Sequence, residues 1–307
     1  MHAAFLACLA LGACAPVSDR TTEPVPAPAP APMPAIARPT APPPAVPVAA
    51  EQATATSVLR HMVVIGASAS YGINLPASLA DALGALVAVP HDPPLDGALG
   101  SFSVASMETR AQLVELAAER EPSALIAVDF LFWYAHGFAP AEQRLARVEA
   151  ALALLDRLQC PVVISLVPDM APAVSFQVLN AVMPGPEMLA TINRRIVEWA
   201  ARRPNVIVVP LVERLDDMRH GRAIVVGPWS WPAGDQLRFV QPDGTHPTEE
   251  GLLVIARLVA EGLRARFPGL PADAFVADRD AVRTGTRRLG AAHPFPRPAA
   301  HAHEASR

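Results

Sequence analysis

Residues 61–68 read HMVVIGAS, a continuous apolar run followed at once by glycine, alanine and serine. A run without polar alternation is typical of a strand that is buried on both faces, as in a parallel sheet. Together with this first run, His61–Ile65, four later runs of the same character predict five strands; they lie at Ala85–Val89, Ala124–Val128, Val162–Val167 and Val206–Val209.

Segments with helical periodicity separate these runs. They predict helices at Pro76–Leu83, Val104–Arg120, Pro140–Leu158, Pro186–Arg203 and Thr248–Phe267. The alternation of strands and helices favours right-handed crossovers and a three-layer α/β/α sandwich. For a five-stranded parallel sheet we predict the flavodoxin-like order 2-1-3-4-5, in which ligands bind beyond the carboxyl ends of the strands.

Proline is concentrated outside this alternating region. The chain has 34 prolines in 307 residues, many of them in a Pro/Ala tract from Pro24 to Pro47. Such a tract buries little apolar surface and favours extended polyproline conformations. We therefore predict a linker at residues 14–57, one folded domain at 58–280 and a disordered tail at 281–307.

The first fourteen residues read MHAAFLACLALGAC. The apolar run Ala3–Leu11 is shorter than the roughly 20 residues of a membrane-spanning helix, but it suits a signal peptide. Its end resembles the lipobox of bacterial lipoproteins, which implies a signal peptide at 1–13 and a lipid anchor on Cys14. The expected location is the cell envelope, at the outer membrane facing the periplasm. Because His2 stands where Lys or Arg is usual, an uncleaved hydrophobic N-terminus is the alternative.

The net charge and the placement of possible metal-ligating residues exclude two classes of function. The formal net charge is −4, lysine is absent, and no arginine-rich run occurs. Nucleic-acid binding requires clustered cations, so it is not predicted. His91, Asp92 and Asp96 share one loop, but no spacing typical of three or four metal ligands is present, and we predict no metal.

The serine at the end of the first run is a candidate catalytic residue. Gly66 permits a tight turn, which places Ser68 at the carboxyl edge of the sheet. The backbone N–H groups of Ser68 and Ala69 are candidate donors to a developing oxyanion. Small residues at this position also serve as simple turn formers or as a phosphate cradle, for example for a flavin-type cofactor.

A second candidate segment, residues 241–251, reads QPDGTHPTEEG and precedes the last predicted helix. Asp243 and His246 lie three residues apart in a turn, so both side chains can point to one side. Histidine is the natural general base at neutral pH, and an aspartate can fix its tautomer. The alternative is an Asx-type turn with a capping role.

The two segments together resemble the SGNH, or GDSL-like, hydrolase family over about His61–Phe267. The family places a Gly-x-Ser block after its first strand and an Asp-x-x-His block before its final helix. Gly66-Ala67-Ser68 and residues 243–247, DGTHP, stand in those places. The resemblance implies a Ser68 nucleophile, a His246 base, an Asp243 orienter and hydrolysis of carboxylic esters, often acyl groups on sugars or lipids, without a cofactor.

Two blocks depart from the family pattern. Ala67 stands where the family usually has an acid, and residues 128–134, VDFLFWY, lack the asparagine of the family's third block. Loss of one oxyanion donor typically lowers turnover about 100- to 1,000-fold. The family's second block is a glycine that offers its backbone N–H. Gly97 and Gly100 are the candidates for it here, and we choose Gly100.

Three further features leave alternatives open. Asp129, at the end of the third strand, either bonds a substrate hydroxyl with a raised pKa or is satisfied by backbone amides. Trp133, within the aromatic run Phe130–Tyr134, either lines an acyl or sugar pocket or packs in the core. Trp229 and Trp231 either stack on a ligand or anchor their loop.

The sequence therefore supports two functional hypotheses. The first is a serine esterase that acts on acyl groups of a cell-envelope glycan or lipid. The second is a non-catalytic module on the same scaffold that binds a glycan or a protein, which the missing asparagine motivates.

Overall fold

The computed structural model describes residues 55–137, 139–170, 183–234 and 236–293. A five-stranded parallel sheet forms the centre, in the order β2-β1-β3-β4-β5. This order and the flanking helices confirm the predicted fold. The strands are β1 (Met62–Val64), β2 (Leu95–Asp96), β3 (Ala124–Ala127), β4 (Val162–Ser165) and β5 (Val206–Val209).

The described helices lie mostly between these strands. They are α1 (Ser68–Tyr71), α2 (Leu79–Leu86), α3 (Met107–Glu119), α4 (Phe132–Ala135), α5 (Ala141–Leu155), α6 (Pro186–Ala201), α7 (Leu211–Arg219), α8 (Glu249–Arg266) and α9 (Arg279–Ala291). An antiparallel hairpin of β6 (Ile224–Val226) and β7 (Trp229–Trp231) and a 3-10 turn at Gln236–Arg238 follow α7.

Alternation along the buried strands creates a core on each face of the sheet. Val64 and Ile126 pack with α2 and α8 on one face, whereas their neighbours Val63 and Leu125 pack with α3, α5 and α6 on the other. Because both faces are covered, the strand residues are apolar throughout, and this explains why the runs were readable in the sequence.

The second predicted strand, Ala85–Val89, is wrong. Those residues form the end of α2 and an isolated bridge from Val87 to Phe275. A capping box between Ser78 and Asp81 starts α2, and its apolar residues are buried as a helix instead of a strand. The actual β2 has two residues, of which Leu95 is 37% exposed, so it lacks the apolar run of a central strand.

The predicted disordered tail at 281–307 is wrong for residues 281–293. Asp278 caps α9 by accepting hydrogen bonds from the N–H groups of Asp280 and Ala281. The helix buries Val282, Thr286 and Gly290. His293, also expected to be unstructured, bonds to Asp81 at 2.9 Å. The end of the predicted linker is likewise folded, since residues 55–57 are helical, whereas residues 1–54 and 294–307 lie outside the described part.

Helix α9 packs on α2 and also holds the start of α8. Arg283 and Arg287 form ion pairs with Glu250 and Glu249, which lie in the first turn of α8. The N-cap of α8 is Thr248, two residues after His246. Helix α9 thus braces the segment that carries the Asp-x-x-His block.

None of the helices in the described ranges is both long and apolar enough to cross a bilayer.

Removal of α9 should therefore destabilise the domain. We expect a chain that ends at Asp278 to lose about 2 kcal/mol or more of unfolding free energy relative to one that ends at His293, because the Val282 face of α9 and its partner surface on α2 become exposed. Urea unfolding of the two proteins measures the difference. Equal transition midpoints would contradict a structural role for α9.

Candidate active site

The carboxylate of Asp129 organises the loop that carries Ser68. Its Oδ1 accepts hydrogen bonds from the Ala67 N–H at 3.0 Å and from the Ser70 hydroxyl at 2.6 Å. Its Oδ2 accepts from the N–H groups of Ala69 and Ser70, at 3.0 and 3.1 Å. Of the two predicted roles of Asp129, the structure shows the second, in which backbone amides satisfy the carboxylate.

These bonds determine the electrostatics of Asp129. Burial raises the pKa of its carboxyl group, and the hydrogen bonds from Ser70, Ala67 and Ala69 oppose that rise because they stabilise the charged form. All four lone-pair positions of the carboxylate are engaged. Asp129 is therefore a positioning residue for the serine loop, which corrects its predicted role in binding substrate.

Gly66 is required beside this carboxylate. Its φ angle is +156°, and a Cβ atom at this position would lie 2.1 Å from Asp129 Oδ1 and 2.8 Å from Ser70 Oγ. Any side chain would therefore displace the carboxylate from the loop. The glycine that the sequence placed in a tight turn is needed for this close approach as well.

The Ser68 N–H is the amide that this arrangement leaves available. The N–H groups of Ala67, Ala69 and Ser70 all donate to Asp129. Ala69 is therefore not an oxyanion donor, which corrects the prediction. Ser68 is the first residue of α1 and is partly exposed, and its N–H has no hydrogen-bond partner among the described residues.

Asp243 and His246 form the pair that their spacing predicted. Asp243 Oδ2 lies 2.6 Å from His246 Nδ1, while Oδ1 accepts from the N–H groups of Thr245 and His246 at 2.9 and 3.0 Å. Burial alone would raise the pKa of Asp243, but the bonds from His246 and Thr245 outweigh it and hold this pKa below its usual value. An ionised Asp243 places the imidazole proton on Nδ1, which leaves Nε2 as an acceptor.

Gln241 joins this loop to the segment that follows Ser68. Its Nε2 donates to the carbonyl oxygen of Ile73 at 2.9 Å and to that of Pro247 at 2.7 Å. Its Oε1 accepts from Asn74 Nδ2 at 3.1 Å. Gln241 is thus a positioning residue that sequence reasoning missed; its place two residues before Asp243 was the available signal.

Ser68 and the Asp243–His246 loop border the same cavity. Ser68, Thr245 and Pro247 all line it, beyond the carboxyl ends of the central strands. In the described part of the chain, neither Ser68 Oγ nor His246 Nε2 has a hydrogen-bond partner. The direct bond between them is therefore not formed in this structure.

The two glycines considered for the second block differ in whether their backbone N–H is already bonded. The Gly97 N–H donates to the Val64 carbonyl at 2.8 Å, so it is engaged in extending the sheet. Gly100 faces the ring of Tyr71, with an added Cβ 3.1 Å from that ring, and its N–H is unengaged within the described residues. Gly100 does not line the cavity beside Ser68, but borders a neighbouring pocket with Tyr71 and Ile73.

The aromatic residues divide between cavity and core. Phe132 lines the cavity, whereas Trp133 does not and packs against the core, which corrects its predicted role. Phe130 and Tyr134 are fully buried. Arg110 supports this segment by donating to the Trp133 carbonyl oxygen at 2.8 Å.

Trp229 and Trp231 anchor the hairpin. Their side chains are 3% and 2% exposed, respectively. Each indole N–H is bonded within the protein, to the Ala277 carbonyl oxygen at 2.7 Å and to Glu250 at 2.8 Å. Of the two interpretations of these tryptophans, the structure contains the loop anchor.

Within the described ranges, no three His, Cys, Asp or Glu side chains converge as metal ligands. Histidines 91 and 136 each direct Nδ1 to a backbone carbonyl oxygen. Burial lowers the pKa of His136 to about 4, so its ring is neutral at physiological pH.

No family model matches the sequence, and no curated protein matches it. Three solved structures that resemble the chain are a proposed acylhydrolase from Bacteroides fragilis NCTC 9343, TesA, and a GDSL-like lipase from Bacteroides thetaiotaomicron VPI-5482. Their identities are 16%, 18% and 14%, and their TM-scores 0.45, 0.43 and 0.43. The matches cover 68%, 67% and 67% of this chain and 88%, 99% and 88% of theirs.

Folds of one class host many chemistries, so the function of this chain has to be argued from its own residues. Those residues are a serine that follows the first strand and an Asp–His pair on a loop that borders the same cavity.

Replacement of Asp129 should destabilise the domain. We expect Asp129→Asn to lower the unfolding free energy by about 1–3 kcal/mol, because an amide has one acceptor atom and turns its own donors toward the loop amides. Asp92→Asn is the control, since this side chain is 61% exposed. Chemical denaturation compares both with the parent protein, and equal stability of the two variants would contradict the positioning role.

Proposed function

We propose that the chain is a serine hydrolase of carboxylic esters, with Ser68 as nucleophile, His246 as base and Asp243 as its orienter. The observation that carries the proposal is the 2.6 Å bond from Asp243 to His246 Nδ1 on a loop that shares a cavity with Ser68. A nucleophile, a base and an orienting acid are the elements of this chemistry.

The first step is attack of Ser68 Oγ on the ester carbonyl carbon. The hydroxyl proton passes to His246 Nε2, and the negative charge of Asp243 stabilises the imidazolium. This transfer requires the Ser68 hydroxyl to come within hydrogen-bond distance of the imidazole when substrate is bound. The alcohol then leaves with the proton from His246, and the acyl group stays on Ser68.

The second step is attack of water on this acyl-enzyme. His246 takes a proton from the water and returns it to Ser68 as the acid leaves. The Ser68 N–H is the proposed oxyanion donor; Gly100 borders the other pocket, with Tyr71 and Ile73, and is not given this role. Because the third-block asparagine is absent, we expect turnover lower than that of an enzyme with a complete oxyanion hole.

The alternative function is a non-catalytic module that binds a glycan or a protein. Two observations favour it, namely the missing asparagine and the unformed bond between Ser68 and His246. The two functions differ in whether Ser68 is reactive, which a chemical probe measures directly.

We expect Ser68→Ala to abolish hydrolysis of p-nitrophenyl acetate and labelling by a fluorophosphonate, because both require the activated hydroxyl. The thermal melt should not change. Ser230→Ala is the matched control, since Ser230 is exposed on the hairpin away from the cavity. A parent protein that neither reacts with the probe nor hydrolyses the ester would overturn this function in favour of the binding module.

We further propose that Cys14 carries a lipid that anchors the protein in the cell envelope, at the outer membrane facing the periplasm. The support is the LGAC sequence at residues 11–14 after a short apolar run. The Pro/Ala-rich composition of residues 14–54 favours an extended spacer, which would reach on the order of 100 Å. Acyl groups on envelope glycans or lipids would then be within range.

Metabolic labelling with a radioactive fatty acid tests the anchor. We expect Cys14→Ser to abolish incorporation, because the thiol is the acylated group. Cys8→Ser should retain it, since this residue lies within the predicted signal peptide. Incorporation that is equal in both variants would contradict the assignment.

A further inference from the structure

The cavity beside Ser68 has an apolar wall. Several segments contribute to it, and its apolar residues include Leu131 and Phe132 after β3, Leu215 and Met218 on α7, and Ile255 on α8. His136 stacks on Phe132 with ring centres 4.2 Å apart, and its low pKa leaves that ring uncharged. The surroundings of the cavity therefore favour hydrocarbon.

Apart from Ser68, the polar side chains among the described lining residues already have hydrogen-bond partners within the protein. Asp129 accepts four hydrogen bonds from the serine loop. Ser165 donates to the Val128 carbonyl oxygen at 2.6 Å, and the Thr245 hydroxyl donates to the Asp243 carbonyl oxygen at 3.3 Å. The Ser68 hydroxyl is the one lining side-chain group without a partner among the described residues.

A sugar or a charged headgroup would therefore lose its water and find only Ser68 as a side-chain partner among the described lining residues. Burial of polar groups without hydrogen bonds is strongly unfavourable, whereas burial of methylene groups is favourable. The acyl side of an ester fits the wall, and the alcohol side, which carries polar groups in a glycan or a glycerolipid, does not.

The volume sets the length of that acyl group. The cavity measures about 80 Å³. An apolar cavity of about 150 Å³ holds one benzene, or about 25 Å³ per carbon, so the space here fits about three carbon atoms.

We propose that the cavity is an acyl pocket selective for short unbranched acyl groups, from acetyl to butyryl, and that Leu215 on α7 limits their length. The inference rests on the proposed ester hydrolysis and names its substrate class. Leu215 lines the cavity and packs against the core as a partly buried residue, so shortening it enlarges the cavity from its side.

The test compares kcat/KM of the full-length protein for p-nitrophenyl acetate, butyrate, hexanoate and octanoate. We expect acetate or butyrate to be the best substrate of the parent protein. Leu215→Ala should raise the hexanoate-to-acetate ratio about tenfold or more, because the removed carbons make room for methylenes of the substrate. Leu215→Phe should lower activity on butyrate more than on acetate.

Leu116→Ala is the matched control, since Leu116 is 55% exposed on α3 and does not line the cavity. Its chain-length profile should equal that of the parent. Thermal melts establish that each variant is folded, and the Phe variant keeps the test decisive if the Ala variant unfolds.

The outcomes separate the two proposals. Hydrolysis with octanoate as the best substrate, or profiles that neither Leu215 variant changes, would overturn the acyl pocket alone. Failure to hydrolyse any ester, together with no fluorophosphonate labelling, would overturn the esterase function and the pocket with it.

Discussion

The carboxylate of Asp129 is the constraint on which the serine loop depends. It holds donors from Ala67, Ala69 and Ser70, which lie about 60 positions away along the chain. By engaging these amides it leaves the Ser68 N–H free, and by filling the space beside Gly66 it requires a residue without a side chain there. The acid that the family pattern places at position 67 is absent, and a carboxylate from β3 reaches the same loop instead.

The parts of the structure that the sequence predicted are those with local signals. The central strands β3 and β4 are buried on both faces, so their residues are apolar except for Ser165 at the end of β4. The pair Asp243–His246 was predictable because three residues of a turn bring the side chains together. The start of α8 was readable from Thr248, whose hydroxyl accepts from the Gly251 N–H.

The parts that were missed depend on tertiary contacts. Strand β2 is an edge of two residues and carries no apolar run, whereas Ala85–Val89 carries one because it packs as the end of a helix. Helix α9 is rich in arginine and lies in a polar tail, and its burial becomes evident only against α2. The same reason left two side chains open in the sequence. Asp129 could bond either backbone amides or substrate, and Trp133 could lie either in the cavity or in the core.

The position of α9 affects the order in which the protein can mature. Ser68 emerges early in synthesis, whereas His246 and the helix that braces its loop come near the end. A nascent chain that has exposed only its first strands has neither the base nor the brace. If the protein crosses a membrane during or after synthesis, its candidate site would be assembled only on the far side, once almost the whole domain had passed. The compartment that makes the chain would then never contain the assembled site.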